Sequence, residues 1–332
     1  MSFLGVETSL TGRCWRGPGV DQSRAGEHLA QETGLPAAVC QVLARRGVPA
    51  HEATGFLTPQ LKELLPDPRR MKDMETAAAR FLQAVERRER IAIFADYDVD
   101  GGSSAALLMV YLRQMGQQAT LYIPDRIDEG YGPNDAAMAG LARDHDLIVC
   151  VDCGTLSHGP IAAAKGADVV VLDHHLGGET LPDCVAVVNP NRQDEDGDLG
   201  YFCAAGVVFL MLVEVRRQAR EKGLGAGPDL MAMLDLVALA TVADVAPLIG
   251  ANRALVRQGL KVMAARKRVG LVALADVREK VDTARSKLPE EAEEPTVNEV
   301  NVALFPVLSI GLSGPIAETE LVYIARRLKE NV

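Results

Sequence analysis

Five short apolar runs, separated by segments of helical length, constrain the fold of this chain more than any other feature. Their residues are largely β-branched, which favours strands, and the spacers are long enough for crossover helices. The runs are Ile91–Phe94, Ala119–Ile123, Leu147–Val151, Val169–Leu172 and Val185–Val188. This alternation predicts an α/β fold, with a parallel sheet of approximately five strands and helices on both faces.

The remaining segments predict helices and a three-part organisation of the chain. Residues 1–70, rich in Gly, Pro and Arg, are predicted to form a small helical N-terminal extension. Residues 71–275 would form the main α/β domain, and residues 276–332 an acidic linker and a short C-terminal appendage. The predicted helices are Met74–Arg88, Ser103–Met115, Asn134–Asp144, Gly159–Lys165, Ala204–Lys222, Asp229–Val242 and one from Asn252 to about Lys267.

Composition narrows the class of protein. A net charge of −10 argues against a nucleic-acid-binding surface over the whole molecule, because Lys and Arg hold phosphates, but it leaves room for a local basic track. The longest apolar stretch, Ala204 to Val213, is about half of a bilayer span, and no signal peptide is recognised, so we expect a cytoplasmic protein without membrane contact. Six dispersed cysteines favour reduced thiols, and the single C-x-x-C at Cys150 and Cys153 lies partly inside a strand, which disfavours a redox or zinc role.

Carboxylates, imidazoles and amides follow four of the five runs at the ends where parallel strands meet one edge of the sheet. Ligands of open α/β sheets bind at that edge. A further aspartate stands near the end of a later predicted helix. The residues are Asp96, Asp98 and Asp100 after the first run, Asp152 after the third, Asp173, His174 and His175 after the fourth, Asn189 and Asn191 after the fifth, and Asp244 in the helix.

Three alternating carboxylates in DYDVD repel one another unless cations compensate them. Carboxylates mixed with imidazole suit Mn²⁺ or a similar ion, and two such ions about 3.5–4 Å apart are the usual device for phosphoryl displacement. A single Asp after a strand is more often a turn or cap residue, and a His pair is more often structural. The joint occurrence of these residues favours a two-metal hydrolytic site. The Gly101–Ser104 segment could hold a phosphate at a helix N-terminus or be an ordinary glycine turn.

The motifs DYDVDG, VDCGT, LDHH and ATVADVAPL, in this order, resemble those of the DHH phosphoesterases, and specifically of the bacterial RecJ exonucleases. The segments YIPDRIDEGYGPN, VVNPNRQD and ANRALVRQGL strengthen the resemblance, which covers about residues 1–275. It implies a DHH phosphoesterase domain that degrades single-stranded DNA from the 5′ end to nucleotides, with two Mn²⁺ or Mg²⁺ ions, in recombination and repair. Single-stranded DNA and repair proteins would be the partners.

The resemblance also implies roles for particular residues. His175 would face the scissile phosphate, and Asp173 would orient the histidines. The implied metal ligands are Asp96, Asp98, Asp100, Asp152, His174 and Asp244. Residues predicted to bind substrate are Ser103, Ser104, Asn189, Arg192, Arg253 and Arg257, of which the last two share a helix face with Lys261 that could equally be a solvated face.

After about residue 275 the sequence departs from the family. We recognise neither the glycine-arginine segment nor the OB-fold that RecJ proteins use to hold single strands. Two other functions therefore stay open. One keeps the chemistry but acts on short oligonucleotides, a cyclic dinucleotide or pyrophosphate. The other is an inactive DHH scaffold that binds DNA or a partner protein, against which the retained carboxylates and histidines argue.

Overall fold

The sheet is built from five parallel strands, as the alternating apolar runs predict. The computed structural model describes residues 5–225 and 227–273, so the predicted segment 276–332 lies outside the described residues. The strands are β1 (Ile91–Ala95), β2 (Ala119–Tyr122), β3 (Leu147–Val151), β4 (Asp168–Leu172) and β5 (Ala186–Val188). Their order in the sheet is β2-β1-β3-β4-β5, and every neighbouring pair is parallel.

The central strands β1 and β3 are buried along their whole length, which explains why they read as continuous apolar runs. Successive side chains of β1 point to opposite faces of the sheet. Ile91, Ile93 and Ala95 join the larger core, whereas Ala92 and Phe94 join a smaller core on the other face. The predicted arrangement of helices on both faces is confirmed.

Helices supply the rest of both cores and connect the strands. In chain order the helices are α1 (Val20–Thr33), α2 (Ala37–Arg45), α3 (Ala50–Leu57), α4 (Leu61–Leu64), α5 (Met74–Arg87), α6 (Val99–Gln114), α7 (Asp135–Asp144), α8 (His158–Ala163), α9 (Ala204–Glu221), α10 (Leu234–Ala243) and α11 (Gly250–Ala264). The larger core receives α5, α6, α9, α10 and α11, and the smaller core receives α7 and α8. Among the described residues, no helix combines the length and apolarity that crossing a bilayer would need.

The N-terminal helices α1 to α3 have a small core of their own, built around Leu29, Cys40 and Leu43. They are tied to the main domain through α11. The guanidinium of Arg253 stacks on the Phe56 ring, 3.8 Å from its centroid, and donates to the Phe56 carbonyl. Arg257 donates to the Pro59 carbonyl at 3.2 Å.

Helix α6 begins at Val99, earlier than the start predicted at Ser103. Asp98 caps the helix, because its Oδ1 accepts hydrogen bonds from the backbone N–H groups of Asp100 at 2.8 Å and Gly101 at 3.0 Å. Gly101 packs directly on the backbone of Asp96. A Cβ at Gly101 would lie 2.8 Å from the Asp96 carbonyl carbon and 2.9 Å from its nitrogen. The glycine is therefore required for this close approach rather than for a turn.

Candidate metal centre

The predicted metal ligands converge at the carboxyl edge of the sheet. Their donor atoms form three groups, and within each group these atoms lie within 4.8 Å of one another. Asp96 follows β1, Asp152 follows β3, and the two histidines follow β4. The groups are Asp96, Asp98 and Asp152; Asp100, His174 and Asp244; and Asp152, His174 and His175.

The three groups make one continuous cluster because they share Asp152 and His174. Nε2 of His174 lies 3.3 Å from Oδ1 of Asp152 and 3.7 Å from Oδ2 of Asp100. On the other side of the ring, Nδ1 of His174 lies 3.9 Å from Oδ2 of Asp244. His174 thus stands between carboxylates delivered by β3, α6 and α10.

Several of these carboxyl groups are buried at a cost that protein groups do not fully offset. Burial raises the pKa of Asp96 to about 6. Burial also raises the pKa of Asp152, and the nearby charges of Asp100 and Asp98 raise it further. Within the described residues, Oδ1 of Asp96 and Oδ1 of Asp152 are buried without a hydrogen-bond partner. Buried carboxylate oxygens that lack donors, mixed with imidazole nitrogens, fit divalent cations such as Mn²⁺ or Mg²⁺.

Asp100 is held from the opposite side by the N-terminus of α9. Its Oδ2 accepts the backbone N–H of Ala204 at 2.6 Å, and its Oδ1 accepts that of Ala205 at 2.8 Å. Burial raises the pKa of Asp100, whereas His174 and these two N–H groups oppose that rise. The amides of a helix N-terminus favour a carboxylate, so the AAGVVFL segment fixes the orientation of Asp100.

Asp152 occupies an uncommon backbone conformation at the end of β3. Its φ is 61°, in the left-handed region that Asp adopts more readily than most residues. Its N–H donates to the Leu172 carbonyl at 2.9 Å, so β4 fixes this conformation. Uncommon backbone conformations at sites that carry chemistry persist where the surrounding structure determines them.

Asp173 lies outside the three groups and orients the two histidines through hydrogen bonds. Its Oδ1 accepts the backbone N–H of His174 at 2.7 Å and Nδ1–H of His175 at 2.8 Å. Its Oδ2 accepts the hydroxyl of Thr155 at 2.7 Å and the Thr155 N–H at 3.0 Å. Burial alone would raise the pKa of Asp173, but the bonds from His175 and Thr155 hold it well below its usual range. The bond between Asp173 and His175 also raises the pKa of His175.

Asn189 and Asn191 fix the backbone of the histidine pair. Asn189 donates to the His175 carbonyl and to the Thr155 hydroxyl, each at 2.8 Å, and its Oδ1 accepts the Asn191 N–H. Asn191 donates to the His174 carbonyl. Asn189 is fully buried, and both of its amide protons are used inside the protein. Thr155 is the last residue of the VDCGT motif, but no role was predicted for it, because the sequence does not show that its hydroxyl reaches Asp173 and Asn189.

Tyr131 is a second residue that the sequence pattern did not single out. Its hydroxyl donates to the Asp152 carbonyl and lies 3.2 Å from Nε2 of His175. The Tyr131 side chain is exposed and makes an edge contact with Tyr97. The guanidinium of Arg126 lies over the Tyr97 ring, 5.1 Å from its centroid. Two aromatic rings and one cation thus border the carboxylate cluster.

The six predicted substrate-binding side chains are buried or make contacts within the protein. Ser103 and Ser104 are buried within α6 rather than at its N-terminus. Arg192 is 8% exposed, and its guanidinium contacts Asp73 at 2.7 Å and Asp194 at 2.9 Å. Asn189 holds the histidine loop. The remaining two, Arg253 and Arg257, contact the N-terminal helices.

Comparison with known proteins agrees with this geometry. The sequence model of the DHH family, N-terminal domain, matches residues 90–241. The single-stranded-DNA-specific exonuclease RecJ of Dickeya dadantii is 40% identical over 73% of this chain and 43% of its own length. RecJ of Bacillus subtilis is 33% identical over 76% of this chain and 31% of its own length. The chain thus spans less than half the length of these curated relatives.

Two solved structures share the fold. The structure of exonuclease RecJ bound to manganese superposes with a TM-score of 0.57 at 36% identity, over 64% of this chain and 53% of that one. The structure of Thermus thermophilus RecJ in complex with Mn²⁺ has a TM-score of 0.61 at 31% identity, over 78% of this chain and 36% of that one. Motif order, sheet and matched domain agree: residues 90–241 of this chain form a domain of the DHH family, similar to that of the RecJ exonucleases.

Proposed function

We propose that this chain carries a metal-dependent nuclease domain that hydrolyses single-stranded DNA from the 5′ end, with two Mn²⁺ or Mg²⁺ ions. The observation that carries the proposal is the cluster of carboxylates and imidazoles in which buried oxygens of Asp96 and Asp152 have no hydrogen-bond partner among the described residues. The names of the relatives support the substrate, and the two manganese-bound structures support the ion.

The chain's own residues would divide the work of the reaction. Asp96, Asp98 and Asp152 would hold one cation, and Asp100, His174 and Asp244 the other. When bound, such cations polarise phosphoryl oxygens and lower the pKa of a bound water.

His175 would act on the substrate itself. Its Nδ1–H donates to Asp173, which fixes the ring and raises its pKa, so the ring binds a proton more readily than a free imidazole does. Nε2, which also lies 3.2 Å from the Tyr131 hydroxyl, would meet the charge that develops on the phosphate or protonate the leaving oxygen. Asp173 would position His175 without touching the substrate.

The border of the cluster supports a single-stranded substrate. Bases of single strands are free to stack on aromatic side chains, and Tyr131 is 55% exposed beside His175. Arg126 would supply a cation for a phosphate of the bound nucleotide, since its guanidinium stands over Tyr97 at the same border.

The test is release of nucleotides from a 5′-phosphorylated single-stranded oligonucleotide in Mn²⁺. Asp98→Asn keeps the size of the side chain but removes its charge, and Asp21→Asn, in the exposed first turn of α1, is the matched control. We expect release by the wild type and the control, and none by Asp98→Asn. Labels at the 5′ or the 3′ end distinguish polarity. Equal release by Asp98→Asn would refute the proposed site.

We also propose that the protein acts in the cytoplasm, together with recombination and repair proteins. Free thiols at all six cysteines support a reducing compartment. The DNA-directed names of the relatives support such partners. Cell fractionation tests the compartment, and co-purification of the protein from cells with damaged DNA tests the partners.

A further inference from the structure

A cleft between α4 and α11 has an unusual lining for an acidic chain. It has a volume of about 230 Å³, and the described residues that line it include no member of the carboxylate cluster. Although the chain carries a net charge of −10, none of the described residues that line the cleft is acidic. They are Pro59, Gln60, Leu61, Lys62, Ala254, Arg257, Gln258 and Lys261.

The three cations of this cleft are available to a ligand. Lys62, Arg257 and Lys261 are exposed, and in the described part of the chain none of them pairs with a carboxylate. Arg257 donates one hydrogen bond, at 3.2 Å, to the Pro59 carbonyl, which orients the guanidinium and leaves its other N–H groups. Other arginines of the domain, such as Arg80 and Arg217, are neutralised by neighbouring carboxylates.

The walls of the cleft are held in place from within the protein. Arg253, one turn before Arg257, stacks on Phe56 and donates to its carbonyl, which fixes the N-terminal helices against α11. Burial lowers the pKa of Arg253, as does the charge of Arg46. Arg253 therefore serves as an anchor, whereas the two cations that follow it on the same face line the cleft.

We infer that this cleft binds backbone phosphates of single-stranded DNA outside the metal centre, an inference that rests on the proposed nuclease function. Arg257 and Lys261 lie one turn apart, about 6 Å along the helix axis, so they can contact different phosphates. Gln60 and Gln258 add neutral donors. Helix α11, which carries Arg257 and Lys261, starts at Gly250, shortly after Asp244. Such contacts bind without reading sequence.

The salt dependence of binding tests this inference. Binding of a long oligothymidylate is followed by fluorescence anisotropy in EDTA, where no cleavage occurs, over a range of salt concentrations. Each phosphate contact to a single strand contributes about 0.7 to the slope of log K against log salt. The double variant Arg257→Gln/Lys261→Gln should therefore reduce the magnitude of this slope by about 1.4. The single variant Lys261→Gln, at an exposed position, should reduce it by about 0.7. Arg24→Gln/Lys165→Gln removes two exposed cations elsewhere and should leave the slope unchanged.

The possible outcomes distinguish failure of the cleft inference from failure of the proposed nuclease function. For the double variant we expect KM to rise more on the long strand than on a dinucleotide. If the wild type releases nucleotides but the variants keep its slope, the cleft inference is overturned and the nuclease stands. If the slopes change as expected but the wild type releases no nucleotides, the proposed nuclease function is refuted and the inference about the cleft is retained. Loss of mononucleotide binding with unchanged strand binding would assign the cleft to a single phosphate and overturn the backbone inference.

Discussion

Adjacent glycines at the start of α6 provide a sharp test of how the cluster is built. Gly101 packs against the Asp96 backbone, where a Cβ would come within 2.8 Å of the carbonyl carbon. A Cβ at Gly102 would meet no atom within 4 Å. Both residues lie in the helix, so alanine brings the same gain in helix propensity at either position. The pair Gly101→Ala and Gly102→Ala thus isolates the contact with Asp96.

The expected changes in stability follow from two effects, the gain in helix propensity and the cost of the close contact with Asp96. Replacement of a helical glycine by alanine stabilises a protein by roughly 1 kcal/mol. Overpacking against backbone that cannot move away costs about 1–3 kcal/mol, occasionally more. We therefore expect Gly102→Ala to stabilise by up to about 1 kcal/mol and Gly101→Ala to destabilise by up to about 2 kcal/mol. The difference, about 1–3 kcal/mol, is the cost of the contact with Asp96.

Urea unfolding and Tm measure both variants, with about 2–4 °C expected for each kcal/mol in a domain of this size. Because the added Cβ pushes on Asp96, Gly101→Ala should also weaken Mn²⁺ binding in calorimetry. If Gly101→Ala is as stable as Gly102→Ala, the close packing on Asp96 does not constrain the helix start. Loss of nuclease activity in a fully stable Gly102→Ala would instead support the predicted phosphate cradle at this segment.

Two further predictions concern the residues that hold the histidine loop. Thr155→Val removes hydrogen bonds to Asp173 and from Asn189, so it should cost about 1–3 kcal/mol in urea unfolding and reduce kcat, whereas Thr155→Ser should restore both. The hydrogen bond from Arg192 is the main cause that lowers the pKa of Asp194 from its ordinary 3.8 to about 2. The stabilisation from this pair is present above pH 3.8 and is lost as the pH falls through about 2. The loss in free energy of unfolding caused by Arg192→Met should therefore become smaller over this pH range. A loss that does not change with pH would contradict the pairing of Arg192 with Asp194.

The sheet could be predicted from the sequence because its strands are buried on both faces. Such strands are continuous apolar runs, and β1 and β3 are the clearest of them. The ligand cluster followed from the same reading, since the carboxyl ends of parallel strands meet at one edge. The periodicity therefore led to the fold, and the fold led to the position of Asp152 and His174.

Side-chain direction could not be read in the same way. Asn189 follows β5 just as Asp152 follows β3, yet Asn189 turns into the protein and holds the histidine loop. The sequence carries no signal for this difference, because it depends on which carbonyls the folded chain brings within reach. The reason for the glycine at Gly101 could not be read from the sequence either. A glycine pair before a helix suggested a turn, but the structure shows that the Asp96 backbone leaves no room for a side chain at this position.

Asp152 places function and stability in conflict, and one substitution can separate them. Its buried carboxylate carries a pKa raised by burial and by Asp100 and Asp98, so without metal the charge costs stability. An asparagine at this position would be equally compatible with a φ of 61°, since Asn also adopts the left-handed region. We therefore expect Asp152→Asn to raise Tm in EDTA, yet to abolish both nucleotide release and the rise in Tm that Mn²⁺ gives the wild type.

The control for this experiment has the opposite sign. The Asp173 carboxylate is equally buried, but hydrogen bonds hold its pKa low, so its charge stabilises the fold. Asp173→Asn should lower Tm in EDTA under conditions where Asp152→Asn raises it. If both variants lower Tm, burial of the Asp152 charge is already compensated by the protein. The unpartnered oxygen would then no longer argue for a cation, and the case for the metal centre would rest on the donor types alone.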